Sequence, residues 1–119
     1  MTLQDRPTAA ELLEAVREFL ERDVMPSVEA RVAFHARVAA NLLGVLEREL
    51  TLGPALDAAE HDRLVALLGH DGDLRGLTEE LAGRIRDGSL DDRHPEVVGH
   101  VREAVRAKLT VANPRYLEA

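Results

Sequence analysis

Cysteine and tryptophan are absent from this chain of 119 residues, and other aromatic residues are scarce. Without cysteine there is no disulfide scaffold, no thiolate nucleophile and no metal site built on thiolates. Because the chain has two phenylalanines and one tyrosine, its core must be built from aliphatic side chains. With 45% apolar residues the composition is that of a folded protein, and the length corresponds to one domain.

Positive charge is also in short supply, since 22 acidic residues outnumber 15 lysines and arginines and the formal net charge is −7. A nucleic-acid-binding surface needs clustered basic residues, so no nucleic-acid partner is predicted. No run approaches the ~18–20 apolar residues of a membrane span. The N-terminal residues include Asp5 and Arg6 instead of the apolar centre of a signal peptide. We therefore expect a cytoplasmic protein that does not enter a membrane.

Sequence signatures of common catalytic and cofactor sites are missing as well. The chain has no glycine-rich phosphate loop and no nucleophile elbow. Its five histidines form no H-x-x-x-H pair. Residues 71–73 begin like a calcium loop, but Arg75 and Ala82 stand where such a loop needs an oxygen ligand and a glutamate. The sequence predicts no cofactor, no metal ion and no catalytic residue.

Helical periodicity is the main positive signal, and a first helix is well marked. Thr8 and Glu11, directly after Pro7, form the S/T-x-x-E pattern of a capping box. The apolar residues that follow span about 120° of the helix circumference, which predicts a helix on the outside of a core that ends before Pro26. These apolar residues are Leu12, Leu13, Val16, Phe19 and Leu20.

A second helix, from about Val28 to Leu50, has a much wider apolar arc of about 180°. One neighbouring helix cannot cover so broad an arc. It indicates either a central helix packed on two sides or a helix that also lies in a subunit interface. Ala33, Ala40 and Gly44 line the opposite side, where small residues permit the close approach of another helix.

Gly53–Pro54 is predicted to break the helical pattern, and three shorter helices are predicted beyond it. They cover residues 57–69, 74–87 and 95–113. No segment has the period-2 alternation of a strand.

The predicted fold is therefore all-α: a single-domain bundle of about five helices around a long central helix. The domain covers residues 1–119, with residues 1–6 and 114–119 as tails.

Polar residues on or beside the wide arc are the candidates for function. His35 lies in the middle of the arc, and Arg31 precedes it by one helical turn. Asn41 lies at the edge of the arc, with Arg37 close by. They could form a polar network that links helices, or contact a ligand, and an imidazole in that position could also act as a general base. The sequence leaves open whether His35 lies in a core, a pocket or an interface.

Three stretches together resemble a family of short bacterial proteins that share a domain of unknown function. They are residues 6–20, residues 34–41 (Phe-His-Ala-Arg-Val-Ala-Ala-Asn) and residues 113–116 (Asn-Pro-Arg-Tyr). Members of that family are typically encoded beside aminoglycoside-phosphotransferase-like kinases and acyl-CoA dehydrogenases. The resemblance implies an accessory role in acyl-CoA or lipid catabolism and carries over no catalytic residue. The positions of interest that it marks, without a role, are His35, Arg37, Asn41 and Arg115.

Three functions agree with these observations, and the first is favoured. In the first, the chain is a non-catalytic accessory or protein-interaction subunit, which forms a homodimer or docks on a neighbouring kinase or dehydrogenase. In the second, it is a small-ligand binder or enzyme with an interhelical pocket around His35. In the third, it is a homo-oligomeric bundle with a purely structural role.

Overall fold

The computed structural model describes residues 5–118, and every regular element in that range is helical. This confirms the predicted all-α class. The four α-helices are α1 (Ala9–Phe19), α2 (Ala30–Leu68), α3 (Leu74–Arg86) and α4 (His94–Ala112). Between and after them lie a π-helical turn (Leu20–Val24) and the 3-10 helices Met25–Ser27, Asp91–Arg93 and Pro114–Glu118. The last of these forms where the sequence predicted a tail.

The chain divides into two compact units, Met1–Gly53 and Pro54–Ala119. The first contains α1 and the N-terminal part of α2. The second contains the C-terminal part of α2 together with α3 and α4.

The predicted break at Gly53–Pro54 is wrong, because α2 continues through both residues and reaches Leu68. A proline inside a helix removes one backbone donor and crowds the carbonyl one turn earlier, but it leaves the other hydrogen bonds of the helix in place. The residues after Pro54 are mostly alanine and leucine, which favour the helix strongly. The separate third helix predicted over residues 57–69 is therefore the C-terminal part of α2.

Helix α1 begins as predicted. Thr8 is its N-cap: its hydroxyl accepts from the Glu11 amide at 3.2 Å, while the Glu11 carboxylate accepts from the Thr8 amide at 2.9 Å. Both amides would otherwise lack a partner at the helix start, so this capping box fixes where α1 begins.

In the first unit, α1 and α2 are joined by charged side chains. The Arg17 guanidinium donates to the Glu47 carboxylate with an Nε–Oε2 distance of 2.6 Å, and its Nη1 donates to Glu21 at 2.7 Å. The bond to Glu47 is the main reason that the pKa of Arg17 is raised above its ordinary value. This pair ties the middle of α1 to α2.

The α2 face nearest these contacts carries small residues. Of the predicted Ala33, Ala40 and Gly44, the last two are buried and Ala33 is partly buried, while Ala36 is buried in addition. A Cβ atom on Gly44 would lie 4.0 Å from the Cδ atom of Arg17. Small side chains allow the neighbouring chain to come close, so burial here follows the small residues and not the wide apolar arc.

The wide arc itself is left largely uncovered within the chain, contrary to the expectation of a helix packed on two sides over residues 28–50. Phe34 is 59% exposed and Leu42 is 61% exposed. Helix α1 also leaves part of its apolar face exposed, at Leu12, Val16 and Phe19. The first unit pairs two helices, and each can cover only one side of the other.

The second unit contains the main hydrophobic core. Its two most deeply buried large side chains are Leu64, from α2, and Leu77, from α3. Asp73 caps α3 by accepting from the Gly76 amide at 2.7 Å, which sets the position at which the leucines of α3 begin. The buried cluster consists of Leu64, Leu67, Leu68, Leu77, Leu81, Leu90 and Val97.

Two glycines end helices in the second unit where the sequence predicts. Gly69 follows α2 with φ +83°, and Gly88 follows α3 with φ +81°. Glycine adopts this left-handed conformation without the steric cost that a Cβ atom brings, so each one turns the chain at the end of a helix.

Candidate functional site

Five large apolar side chains remain exposed along α2 at intervals of four residues. We call this row the α2 apolar stripe: Phe34, Val38, Leu42, Leu46 and Leu50. At 3.6 residues per turn, each four-residue step moves the row by only about 40° around the helix. Leu42, at its midpoint, points about 160° away from Ala40 on the small-residue face. The middle of the stripe thus lies on the side of α2 that is turned away from the α1 contact, while the whole row turns by about 160° around the helix from Phe34 to Leu50.

His35 follows Phe34 at the N-terminal end of this stripe and is exposed. Its ring meets the Phe34 ring edge to face, with 5.5 Å between the ring centres and an angle of 72° between the planes. Arg31, one turn earlier, is exposed too, and its Nε atom lies 3.3 Å from the Glu29 carboxylate. The helix therefore places a cation and an imidazole near the N-terminal end of the stripe.

Glu49 is an acidic residue on the same side of α2 within the first unit. It is exposed, and it lies within about 40° of His35 around the helix, near the C-terminal end of the stripe. The apolar stripe therefore carries basic groups towards one end and a carboxylate towards the other. Sequence analysis missed Glu49, although the helical periodicity that located His35 also locates this residue.

The other sequence candidates are exposed as well and do not form a buried network. Arg37 and Asn41 lie on α2, on the far side of Phe34 from His35. Arg115 lies in the 3-10 helix Pro114–Glu118 of the second unit. Four of the five candidates thus share one helix. Around that helix, only Arg31 and His35 point to the same side as Leu42.

A second polar cluster joins the end of α2 to the start of α3. The Nε2 atom of His61 lies 3.0 Å from Oδ1 of Asp71 and 2.9 Å from the carbonyl oxygen of Gly72. The ring of His70 lies between two acceptors, with Nδ1 3.0 Å from the Asp71 carbonyl and Nε2 2.7 Å from Oε1 of Glu80. We call this group the histidine clasp.

The charged form of both histidines is favoured in the clasp. The Gly72 carbonyl, followed by Asp71, raises the pKa of His61. The Asp71 carbonyl and then Glu80 raise the pKa of His70, while the nearby Arg84 acts in the opposite direction. Sequence analysis missed the clasp because its partners lie ten residues apart across a helix end, a separation that no periodic pattern reveals.

A third polar group is buried in the second unit. His100, on α4, is only 7% exposed, and its Nδ1 atom has no hydrogen-bond partner among the described residues. The Nε and Nη2 atoms of Arg63, on α2 in the same unit, are also buried and have no hydrogen-bond partner among the described residues. Burial lowers the pKa of His100 and Arg63 lowers it further, against a smaller opposing effect of Glu60. His100 is therefore held in its neutral form.

Over residues 5–118, no three histidine, aspartate or glutamate side chains come together as a set of metal ligands. None of the helices in that range has the length and apolar character to cross a membrane. The exposed stripe on α2 is accordingly the feature with the clearest capacity to bind another molecule.

Comparison with known proteins places most of the chain in a family of unassigned function. The profile of the domain of unknown function DUF6285 matches residues 26–116, which include the whole of α2. A stretch of 40 residues is 55% identical to part of the protein translocase subunit SecA of Acidothermus cellulolyticus. That stretch is 33% of this chain and 4% of SecA, so the chain spans a small fraction of that protein. No solved structure matches the chain.

Proposed function

Because the chain belongs to the DUF6285 family, whose function is unknown, we propose a function from its own geometry: a non-catalytic protein-interaction subunit that self-associates through the α2 apolar stripe. The single observation that carries this proposal is the row of five exposed apolar side chains at four-residue intervals.

The size of the stripe supports a protein partner. Its five side chains are 41–61% exposed, and a fully exposed side chain of this size has on the order of 200 Å² of surface. The stripe alone therefore offers about 500 Å² of apolar surface, at the upper end of the ~300–600 Å² of the largest patch on a typical monomer.

A second copy is the partner that best suits the first unit. This unit pairs α1 with part of α2 and leaves apolar residues exposed on both helices. Packing the stripe of one copy against the stripe of another would cover apolar side chains of α2 that one copy leaves exposed.

The non-catalytic part of the proposal follows from the placement of the polar groups. Catalysis requires a nucleophile or an acid–base pair that converges with an orienting group. His35 is exposed beside a phenylalanine, and both ring nitrogens of His70 already face oxygens of the chain.

Two equally exposed residues give a matched test of this proposal. Leu46 lies in the stripe and Ile85 lies on α3, and each is 44% exposed. We expect Leu46→Glu to convert a dimer into a monomer, because the carboxylate would have to be buried without a partner, while Ile85→Glu leaves the dimer intact. Sedimentation equilibrium measures both variants beside the unaltered chain. A monomeric unaltered chain at high micromolar concentration would contradict the proposal.

An accessory role beside a phosphotransferase-like kinase or an acyl-CoA dehydrogenase is a narrower form of this proposal. Co-purification with either enzyme, abolished by Leu46→Glu and retained by Ile85→Glu, would support it. A small-ligand role around His35 is the competing proposal, and a thermal shift with acyl-CoA compounds that disappears in His35→Ala would favour it.

A further inference from the structure

We infer that two copies of the chain pack α2 against α2 in antiparallel orientation, with the two-fold axis beside Leu42. This inference rests on the proposed self-association and specifies its geometry. It makes the partner subunit the source of a carboxylate for His35, so that the polar surroundings of His35 are complete only in the dimer.

The spacing of the stripe is symmetric about Leu42. Phe34 and Leu50 are each eight residues from it, and Val38 and Leu46 are each four residues from it. In an antiparallel pair centred there, Val38 and Leu46, each about 40° around the helix from Leu42, meet each other across the interface. Phe34 and Leu50, each about 80° from Leu42, lie at the edges of the contact. Leu42 meets itself at the axis, as a self-complementary interface requires.

The charges beside the stripe favour the same orientation. His35 and Glu49 are each seven residues from Leu42, on opposite sides of it, and both are exposed on the stripe side of α2. At a rise of 1.5 Å per residue, antiparallel pairing brings His35 of one copy to the level of the partner's Glu49, about 10 Å from the axis.

Parallel pairing would have the opposite electrostatic result. It would set His35 and Arg31 against the same two residues of the second copy, and each Glu49 against another Glu49. Like charges that face each other across an interface weaken association and thereby select against that orientation. The antiparallel pair instead places the carboxylate of Glu49 opposite the imidazole of the partner's His35 at both ends of the stripe.

Cysteine substitution tests the orientation without interference, because the chain has no cysteine of its own. Leu42→Cys, Val38→Cys, Leu46→Cys and the control Ile85→Cys are each exposed to a mild oxidant, and covalent dimers are measured by non-reducing electrophoresis. A disulfide needs Cα atoms within about 7 Å of each other. In the antiparallel pair, two copies of position 38 lie about 12 Å apart along the helices, beyond that reach.

The inference therefore predicts that Leu42→Cys cross-links with itself, whereas neither Val38→Cys nor Leu46→Cys does so alone. A mixture of the last two variants forms a covalent heterodimer, and Ile85→Cys stays uncoupled. Self-cross-linking of Val38→Cys would establish parallel pairing and overturn this inference while leaving self-association intact. A dimer in sedimentation with no cross-link at position 42 would also overturn it. A monomeric unaltered chain would overturn the proposed function as well.

A charge exchange provides a second arm of the test. Glu49→Arg should weaken dimerisation about three- to tenfold, because it sets a guanidinium against the partner's His35 and the partner's Arg31 at both ends of the interface. The double variant His35→Glu with Glu49→Arg should restore the dimer to within about twofold, because it re-forms two pairs of unlike charge. An unchanged dissociation constant in Glu49→Arg, or no recovery in the double variant, would overturn the assigned pairing.

Discussion

At the scale of single residues, the histidines of this chain occupy three different environments. His35 is exposed beside an apolar stripe, His70 is held between a carbonyl and a carboxylate, and His100 is buried and neutral. The residue type alone does not distinguish these environments. Their ionisation depends on neighbours that the fold supplies, so their contributions to stability have different pH dependences.

The histidine clasp predicts a loss of stability as the pH rises. The folded-state pKa values of His61 and His70 are raised, so their contribution is fully present below the ordinary histidine pKa of about 6.5 and is lost as the pH rises through the raised values. We expect the free energy of unfolding to fall as the pH rises above about 6.5, and this fall to be reduced in His70→Gln. Urea titrations across that range measure it.

His94→Gln provides the matched control for the clasp, because His94 is an exposed histidine outside it. In this variant the free energy of unfolding should depend on pH as it does in the unaltered chain. His100 has the opposite pH dependence. Because its pKa is lowered, its contribution to the free energy of unfolding is present above about pH 6.5 and is lost as the pH falls. An unfolding free energy with the same slope in His70→Gln as in the unaltered chain would contradict the role of the clasp.

At the scale of elements, the main departure from the sequence prediction is the continuity of α2. Gly53–Pro54 is a typical helix-ending pair, yet α2 spans 39 residues from Ala30 to Leu68. Local preference against the helix at two positions is outweighed by favourable helix formers and by packing of the C-terminal part of α2 in the core of the second unit.

Replacing the interior proline should therefore stabilise the chain. Pro54→Ala restores a backbone donor and removes the clash with the preceding turn, and we expect a gain of about 1–3 kcal/mol in the free energy of unfolding. Pro95→Ala is the control, since Pro95 lies in the first turn of α4, where proline costs little. Chemical denaturation compares the two variants. A destabilised Pro54→Ala would mean that the chain depends on the helix geometry that this proline imposes.

At the scale of the whole molecule, the two compact units differ in how they bury apolar side chains. The second has a cluster of seven buried residues, six of them leucines. In the first, no residue of α1 is buried, and α2 buries small residues there while its large ones stay exposed. The first unit therefore has the greater need of a partner surface.

Self-association predicts that thermal stability depends on protein concentration. A dimer that holds the first unit together is favoured by mass action, so the Tm of the unaltered chain should rise when the concentration is raised tenfold. Leu46→Glu should abolish this dependence, whereas Ile85→Glu should retain it. Differential scanning calorimetry at two concentrations makes the comparison. A Tm that does not change with concentration in the unaltered chain would contradict dimerisation through the stripe.

The sequence by itself determined the helical class, the capping box at Thr8 and the glycine ends of α2 and α3. These follow from local rules of periodicity and capping, which neighbouring residues along the chain satisfy. Only the tertiary structure decided that α2 buries Ala40 and leaves Leu42 exposed, and that His70 lies against Glu80. Both outcomes depend on which surfaces meet in space. An apolar arc identifies a face that avoids water, but its position on the helix does not say whether the covering surface belongs to the same chain.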